Sequence, residues 1–356
     1  MRLVIAGGGP AALATARAYR DAGGDGDVTL ITPEAMIPYR RPPLSKEFLR
    51  GEVDEDELPI EPAGWYAEHD VQVRTDAVTA IRPGEVSLRD EALRFDACVI
   101  ATGSDPGSGP VLRSLADARA LRERAANVTR ATVVGSGFIG CEAAASLSMR
   151  GLDVTLVSDE DIPHETRLGT EAGKRIAGFL EGHGVTLRLG EVVEDLPDGL
   201  VLMATGVKPR VELARAAGAE IANGRVVVDE HMRTSLDGVY AAGDVAFAYN
   251  AAARRHLAVE HWGEALNMGE VAGRTIAGED ASWDVAPGFW STIGEHTIKY
   301  AAWGDGFDEA RVVDHGGGAW TIWYDRDGVT VGVLTHERDE DYETGRERVE
   351  QGAPLP

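Results

Sequence analysis

"LVIAGGGPAALATARAYRDAGG" (residues 3–24) and "TVVGSGFIGCEAAASLSMRG" (residues 132–151) share one plan: an apolar run, a glycine cluster and an Ala-rich stretch. A second apolar run with the same opening follows each, "DVTLIT" (27–32) and "DVTLVS" (153–158). Order, spacing and wording match, so the chain contains an internal duplication. Each copy is predicted to form a strand, a tight turn, a helix and a second parallel strand, with GxGxxA at the first turn and GxGxxG at the second.

The spacing carries a physical demand. The first glycine allows the turn, the second lets a pyrophosphate approach the backbone, and the third position must be small so that helix and strand can pack. The helix start then offers unpaired N–H groups and the positive end of a dipole to the phosphates. Gly7, Gly9 and Ala12, with Pro10 and Ala11 opening the helix, fill these positions in the first copy; Gly135, Gly137 and Gly140, with Phe138 and Ile139, fill them in the second. Two such turns imply two dinucleotides, which an oxidoreductase needs when one is a hydride donor and the other a bound flavin.

Two further apolar strands end alike, "FDACVIATGSDP" (95–106) and "GLVLMATGVKP" (199–209). They place Ala101, Thr102, Gly103 and Ala204, Thr205, Gly206 at strand ends, where ligands of open α/β sheets bind. In "TSLDGVYAAGDVA" (234–246), Gly243 allows close backbone approach and Asp244 can accept hydrogen bonds from a sugar hydroxyl; a plain strand-end turn is the alternative.

The bulk numbers narrow the classes. With 356 residues and 44% apolar content, two or three domains are expected. A net charge of −24 argues against nucleic-acid or anionic-membrane partners. The two cysteines, Cys98 and Cys141, form no CxxC or CxxxxC pair, which sets aside disulfide reductase chemistry. The histidines show no metal-ligand spacing. No apolar run is long enough for a membrane helix and no leader precedes the first strand, so a cytoplasmic protein is expected.

With "GGGPAA", "PYRRPPLSK", "ATG", "GSGFIGCE", "ATGVKP", "RTSLDGVYAAGDVA", "EHW" and "FWS" in place, the chain resembles the FAD-dependent pyridine nucleotide-disulfide oxidoreductase superfamily. Within it, the chain is most similar to the ferredoxin and rubredoxin reductases of oxygenase and P450 systems, relatives of apoptosis-inducing factor. The resemblance implies an α/β fold with two Rossmann-like dinucleotide-binding domains and a small α+β C-terminal domain. The FAD domain (1–107 and 225–280) would be split by an inserted NAD(P)H domain (108–224), with the C-terminal reductase domain at 281–356.

The resemblance also implies roles. Gly7, Gly9, Asp244 and Val78 would contact FAD, and Glu34 is placed to bind adenosine ribose hydroxyls unless it is an ordinary loop carboxylate. Arg41 would face the phosphates. Lys46, fixed after Pro42 and Pro43, would lie by the flavin N5 edge, restrained by Glu142, which would also hydrogen-bond the nicotinamide carboxamide. His261 and Trp262 begin a helix aimed at the flavin pyrimidine, though Trp262 equally reads as core. Trp290 would shield the flavin, but Thr292 and Ile293 replace the usual Asp-Gln after "FWS". The β-meander usual between "GV" and "ATG" is shortened in residues 184–206.

Hydride would pass from NADH to FAD and then, one electron at a time, to a [2Fe–2S] ferredoxin; the enzyme would be a monomer or homodimer. NADPH stays open, because Ser158 ends the strand where NAD-users often carry an acid, although Asp159, Glu160 and Asp161 would repel a 2′-phosphate. A small-molecule acceptor (quinone, free flavin or oxygen) is a second reading, and a redox-sensing binding protein a third. Docking an acidic ferredoxin on so acidic a chain requires a local basic patch.

Overall fold

Both predicted βαβ units form as the sequence patterns dictate. A computed structural model describes residues 1–193 and 198–356, which divide into two compact units. The first contains residues 1–40, 59–105 and 208–287; the second contains 41–58, 106–207 and 288–356. The units group some residues otherwise than the expected boundaries: 41–58, 106–107 and 288–356 lie with the second glycine turn, and 208–224 and 281–287 with the first.

In the first unit, five parallel strands run in the order Val239–Ala241, Ala97–Ile100, Arg2–Ala6, Asp27–Thr32 and Val71–Thr75. Their near-continuous apolar runs suit a sheet covered on both faces. Helix Pro10–Asp21 follows the first strand, and its Ala11, Ala12, Leu13, Ala14 and Ala16 are buried. Its small side chains admit helix Trp262–Ala277 at backbone distance. A Cβ added at Gly269 would lie 2.3 Å from the Ala11 carbonyl oxygen, and one at Gly273 2.4 Å from that of Thr15. An antiparallel sheet of Ala80–Arg82, Glu85–Ser87 and Ala92–Arg94 and a mixed sheet centred on the parallel pair Arg225–Val228 and Ala246–Asn250 complete the unit.

The second unit repeats the parallel plan in the order Thr186–Arg188, Asp153–Val157, Arg130–Val134 and Leu200–Met203. Helix Phe138–Met149 follows Arg130–Val134. Between Thr186–Arg188 and Leu200–Met203 no strand occurs among the described residues, as the shortened meander leads one to expect; residues 194–197 lie outside them. Residues 288–356 form an antiparallel sheet ordered Gly288–Ile293, His296–Ala302, Val329–His336, Ala319–Arg326 and Glu309–Gly316, with helix Asp339–Gln351 after it. This matches the expected small α+β part. No helix among the described residues is long and apolar enough to cross a membrane.

Because Gly269 sits against a backbone carbonyl, Gly269→Ala should destabilise the protein by about 1–3 kcal/mol through overpacking. Chemical denaturation of the variant measures this, and an unchanged midpoint would contradict the close helix approach.

Candidate nucleotide and redox sites

The two glycine turns agree beyond their sequence pattern. Gly7 donates its N–H to the Ile31 carbonyl at 2.8 Å, and Gly135 donates to Val157 at 2.8 Å. Ala101 N–H bonds Ala6 O at 2.9 Å, and Ala204 N–H bonds Val134 O at 2.7 Å. A Cβ at Gly7 would stand 2.1 Å from the Ala101 oxygen, and one at Gly135 2.4 Å from the Ala204 oxygen. Both glycines have positive φ, +149° and +105°. The alanine of each Ala-Thr-Gly thus leaves room only for glycine at the head of the turn.

The middle glycines behave oppositely. Gly9 and Gly137 are the N-caps of the two helices, and a Cβ added to either meets nothing within 4 Å. Neither helix start has a side-chain cap or an acidic residue in its first turn. Helix Leu115–Ala125, by contrast, is capped by Ser114 and Asp117. Open space beside an uncapped, positive helix end fits a pyrophosphate, so both turns suit a dinucleotide.

In the first unit, Glu34 accepts a hydrogen bond from Tyr39 Oη at 2.6 Å, and Asp244 accepts one from Ser104 Oγ at 2.6 Å. Thr102 Oγ1 donates to Arg210 O at 3.0 Å. Val78 is half-buried and follows Val71–Thr75 in irregular chain. His261 caps helix Trp262–Ala277, and Trp262 is half-buried. Sequence reasoning missed Glu264 in the first turn of this helix. It is 3% exposed and accepts from Trp283 Nε1 at 3.0 Å and Asn267 Nδ2 at 3.2 Å. Its sequence signal was a glutamate two residues beyond Trp262 at a helix start.

In the second unit, one buried carboxylate gathers three segments of chain. Glu142 Oε2 accepts from Lys46 Nζ at 2.9 Å and Ser45 Oγ at 2.5 Å. Its Oε1 accepts from Ser291 Oγ at 2.7 Å and the Thr292 N–H at 3.3 Å. Lys46 and Glu142 are each 5% exposed. Four donors fill the carboxylate, so a nicotinamide carboxamide can join it only by displacing one. Residues 42–50 are fastened to the helix bearing Glu142: Ser146 Oγ bonds Ser45 O, and Arg150 Nη1 bonds Leu49 O, both at 2.8 Å. Arg41 Nη1 donates to Arg113 O at 2.7 Å. Arg50 pairs with Glu52 at 2.7 Å.

Nothing in "FWS" marks Ser291 as a site residue; the fold brings it to Glu142. Thr292, where an acidic residue was expected, supplies its backbone N–H to Glu142 and its Oγ1 to Thr297 at 3.0 Å, whereas Ile293 is buried. Trp290 and Ile139 remain exposed, at 49% and 42%. They flank this carboxylate in sequence, Trp290 beside Ser291 and Ile139 one helical turn before Glu142.

At the second glycine turn, Ser136 and Ser158 hydroxyls meet at 2.7 Å, and Ser136 Oγ reaches Glu160 Oε2 at 3.0 Å. The N–H groups of His164 and Thr166 also donate to the Glu160 carboxylate, each at 3.1 Å. Burial raises its pKa, but hydrogen bonding from Thr166 and Ser136 outweighs this and holds it below the usual carboxylate value. His164 packs on the Phe138 ring at 4.0 Å, and Phe138 on Phe289 at 4.4 Å. No cluster of His, Cys, Asp and Glu fit to hold a metal occurs among the described residues.

A family model described as pyridine nucleotide-disulphide oxidoreductase matches residues 1–269. A ferredoxin–NAD(P)(+) reductase of a Sphingomonas species is 30% identical, the match covering 99% of this chain and 93% of that protein. A crystal structure of a ferredoxin reductase from Rhodopseudomonas palustris superposes with a TM-score of 0.93 at 26% identity, covering 99% of this chain and 95% of that one. The reductase in a covalent putidaredoxin reductase–putidaredoxin complex gives 0.91 at 27% identity, covering 99% and 94%.

Burial pushes the His164 pKa from 6.5 down to about 3, with the Arg167 charge adding to the effect and Glu160 opposing it. Between those pH values the unfolded chain binds a proton that the folded chain does not. Stability should therefore fall as pH drops below 6.5, by up to about 1.4 kcal/mol per pH unit from this group. His164→Asn tolerates the positive φ of this position and should flatten the acid limb of denaturation midpoint against pH. An unaltered limb would show that His164 does not contribute.

Proposed function

The chain belongs to the pyridine nucleotide-disulphide oxidoreductase family, and on that premise we propose that it is an FAD-containing reductase, passing hydride from NADH to FAD and single electrons to a [2Fe–2S] ferredoxin. The main support is the pair of glycine turns, one per unit, built alike down to the Ala101 and Ala204 carbonyls that close on them. The names of the similar proteins, ferredoxin reductases among them, favour the ferredoxin as acceptor.

FAD, when bound, supplies acceptance of electrons as a hydride and their release one at a time. The protein's own tasks are binding, alignment and control of charge. Gly7, Gly9 and the start of helix Pro10–Asp21 would hold the FAD pyrophosphate, with Glu34 and Asp244 on its sugar hydroxyls and Ala101, Thr102 and Gly103 lining the strand end. Gly135, Gly137 and the start of helix Phe138–Met149 would hold the nicotinamide nucleotide, with Ala204, Thr205 and Gly206 opposite. Lys46 would hold positive charge at the flavin N5 edge, and Trp290 would exclude water from the ring.

The cysteines take no part. Cys98 is fully buried in a strand, which pushes its thiol up to about 12, and Cys141 is buried and pushed higher still. Neither forms a thiolate at neutral pH, so thiol–disulfide exchange is not the chemistry.

Purified protein reconstituted with FAD should bleach on anaerobic titration with NADH, and a [2Fe–2S] ferredoxin should accelerate its reduction of cytochrome c. No flavin binding would end this reading; bleaching without ferredoxin acceleration would replace the acceptor. Lys46→Met should slow flavin reduction by about tenfold or more while FAD stays bound, the size expected for loss of one charge-stabilising group. An unchanged rate in stopped flow would remove Lys46 from the site.

A further inference from the structure

The second strand of the second copy ends at Ser158, where a serine hydroxyl could bind the 2′-phosphate of NADPH. The hydrogen bonds there decide the matter. An ionised carboxylate only accepts, so the 3.0 Å contact between Ser136 Oγ and Glu160 Oε2 takes the single Ser136 proton. The 2.7 Å contact between the serines must then run from Ser158 to Ser136. Ser158 Oγ in turn accepts the Glu160 N–H at 3.2 Å. Both hydroxyls point their protons along one line that ends on Glu160, and both residues are 3% exposed. Neither has a proton left for a phosphate.

Glu160 itself is held rigidly by the backbone of His164 and Thr166. Three donors, the Ser136 hydroxyl and the N–H groups of His164 and Thr166, leave one acceptor position on the carboxylate, which a ribose 2′-hydroxyl can fill as a donor. A 2′-phosphate brings negative charge to a fixed anion instead. Ser136 lies between Gly135 and Gly137, so this anion is tied directly to the turn that would take the pyrophosphate. Asp159 and Asp161, on either side, are exposed; of the cations near this strand end, Arg167 lies over the Phe138 ring at 5.8 Å, and Arg188, whose carbonyl accepts the Ser158 N–H at 3.0 Å, pairs its guanidinium with Glu191.

We infer that Glu160, two residues beyond the strand end, is the residue that selects NADH over NADPH, by accepting the ribose 2′-hydroxyl and by holding the protons of Ser136 and Ser158 away from a phosphate. The inference rests on the nucleotide-site reading of the second unit.

Titration calorimetry of the FAD-loaded protein with 5′-AMP and with adenosine 2′,5′-bisphosphate tests it without turnover. Wild type should bind 5′-AMP at least about tenfold tighter, the worth of one charge-assisted hydrogen bond. Glu160→Gln should bring the two affinities to within about threefold, whereas Ser158→Ala should preserve the wild-type ratio because the anion remains. NADH and NADPH kcat/KM values should move in parallel. Equal binding of both probes to wild type, tighter binding of the bisphosphate through Arg167, or an unchanged ratio in Glu160→Gln would overturn the inference alone. If neither probe binds, the nucleotide-site reading falls and the inference with it.

Discussion

A backbone carbonyl pressed against a glycine is the constraint on which each nucleotide site depends. The Ala101 and Ala204 oxygens stand where the Cβ of any other residue at positions 7 and 135 would lie. Because each carbonyl belongs to the strand beside the turn, strand pairing and turn geometry are fixed together. Any side chain there would push apart two strands already joined by main-chain hydrogen bonds. The same contact occurs in both units, so the duplication extends from sequence to atomic packing.

The parallel strands, the glycine turns and their helices were legible because they rest on local patterns: apolar runs, glycine spacing and small-residue helices. The Ala-Thr-Gly strand ends were legible only as a repeated pair, and their reason, the carbonyl closing on a glycine, needs the sheet register. Residues 41–58 were expected within the first dinucleotide domain, and the structure groups them with the second unit. What places them is Ser146 and Arg150 reaching back to the carbonyls of Ser45 and Leu49, contacts about a hundred residues apart in the chain.

Side-chain networks were the least legible part. Lys46 and Glu142 were paired through a family resemblance, but Ser45, Ser291 and Thr292 on the same carboxylate were not foreseen, since nothing in "FWS" marks its serine as a partner of residue 142. Ser158 left a 2′-phosphate open, against the visible charges of its neighbours, because the direction of its proton cannot be read from sequence. Glu264 similarly reads as an ordinary first-turn acid until Trp283 is seen to lie on it. In each case the chemistry turns on which hydrogen goes where, a property of three-dimensional neighbours.

The Glu142 cluster also has a kinetic meaning. Its four donors lie 96, 97, 149 and 150 residues away along the chain. Contacts so distant in sequence require closure of long loops, whose entropy must be met before the contacts can form. The strand, turn and helix of each glycine motif come from neighbouring residues, although the Ala101 and Ala204 carbonyls that close on the turns arrive from farther along the chain. The full donor set on Glu142 cannot be complete until residues 41–58, the helix bearing Glu142 and the strand Gly288–Ile293 have come together. The cluster is therefore a contact of high loop-closure cost, and its presence reports that all three segments of the second unit are in place.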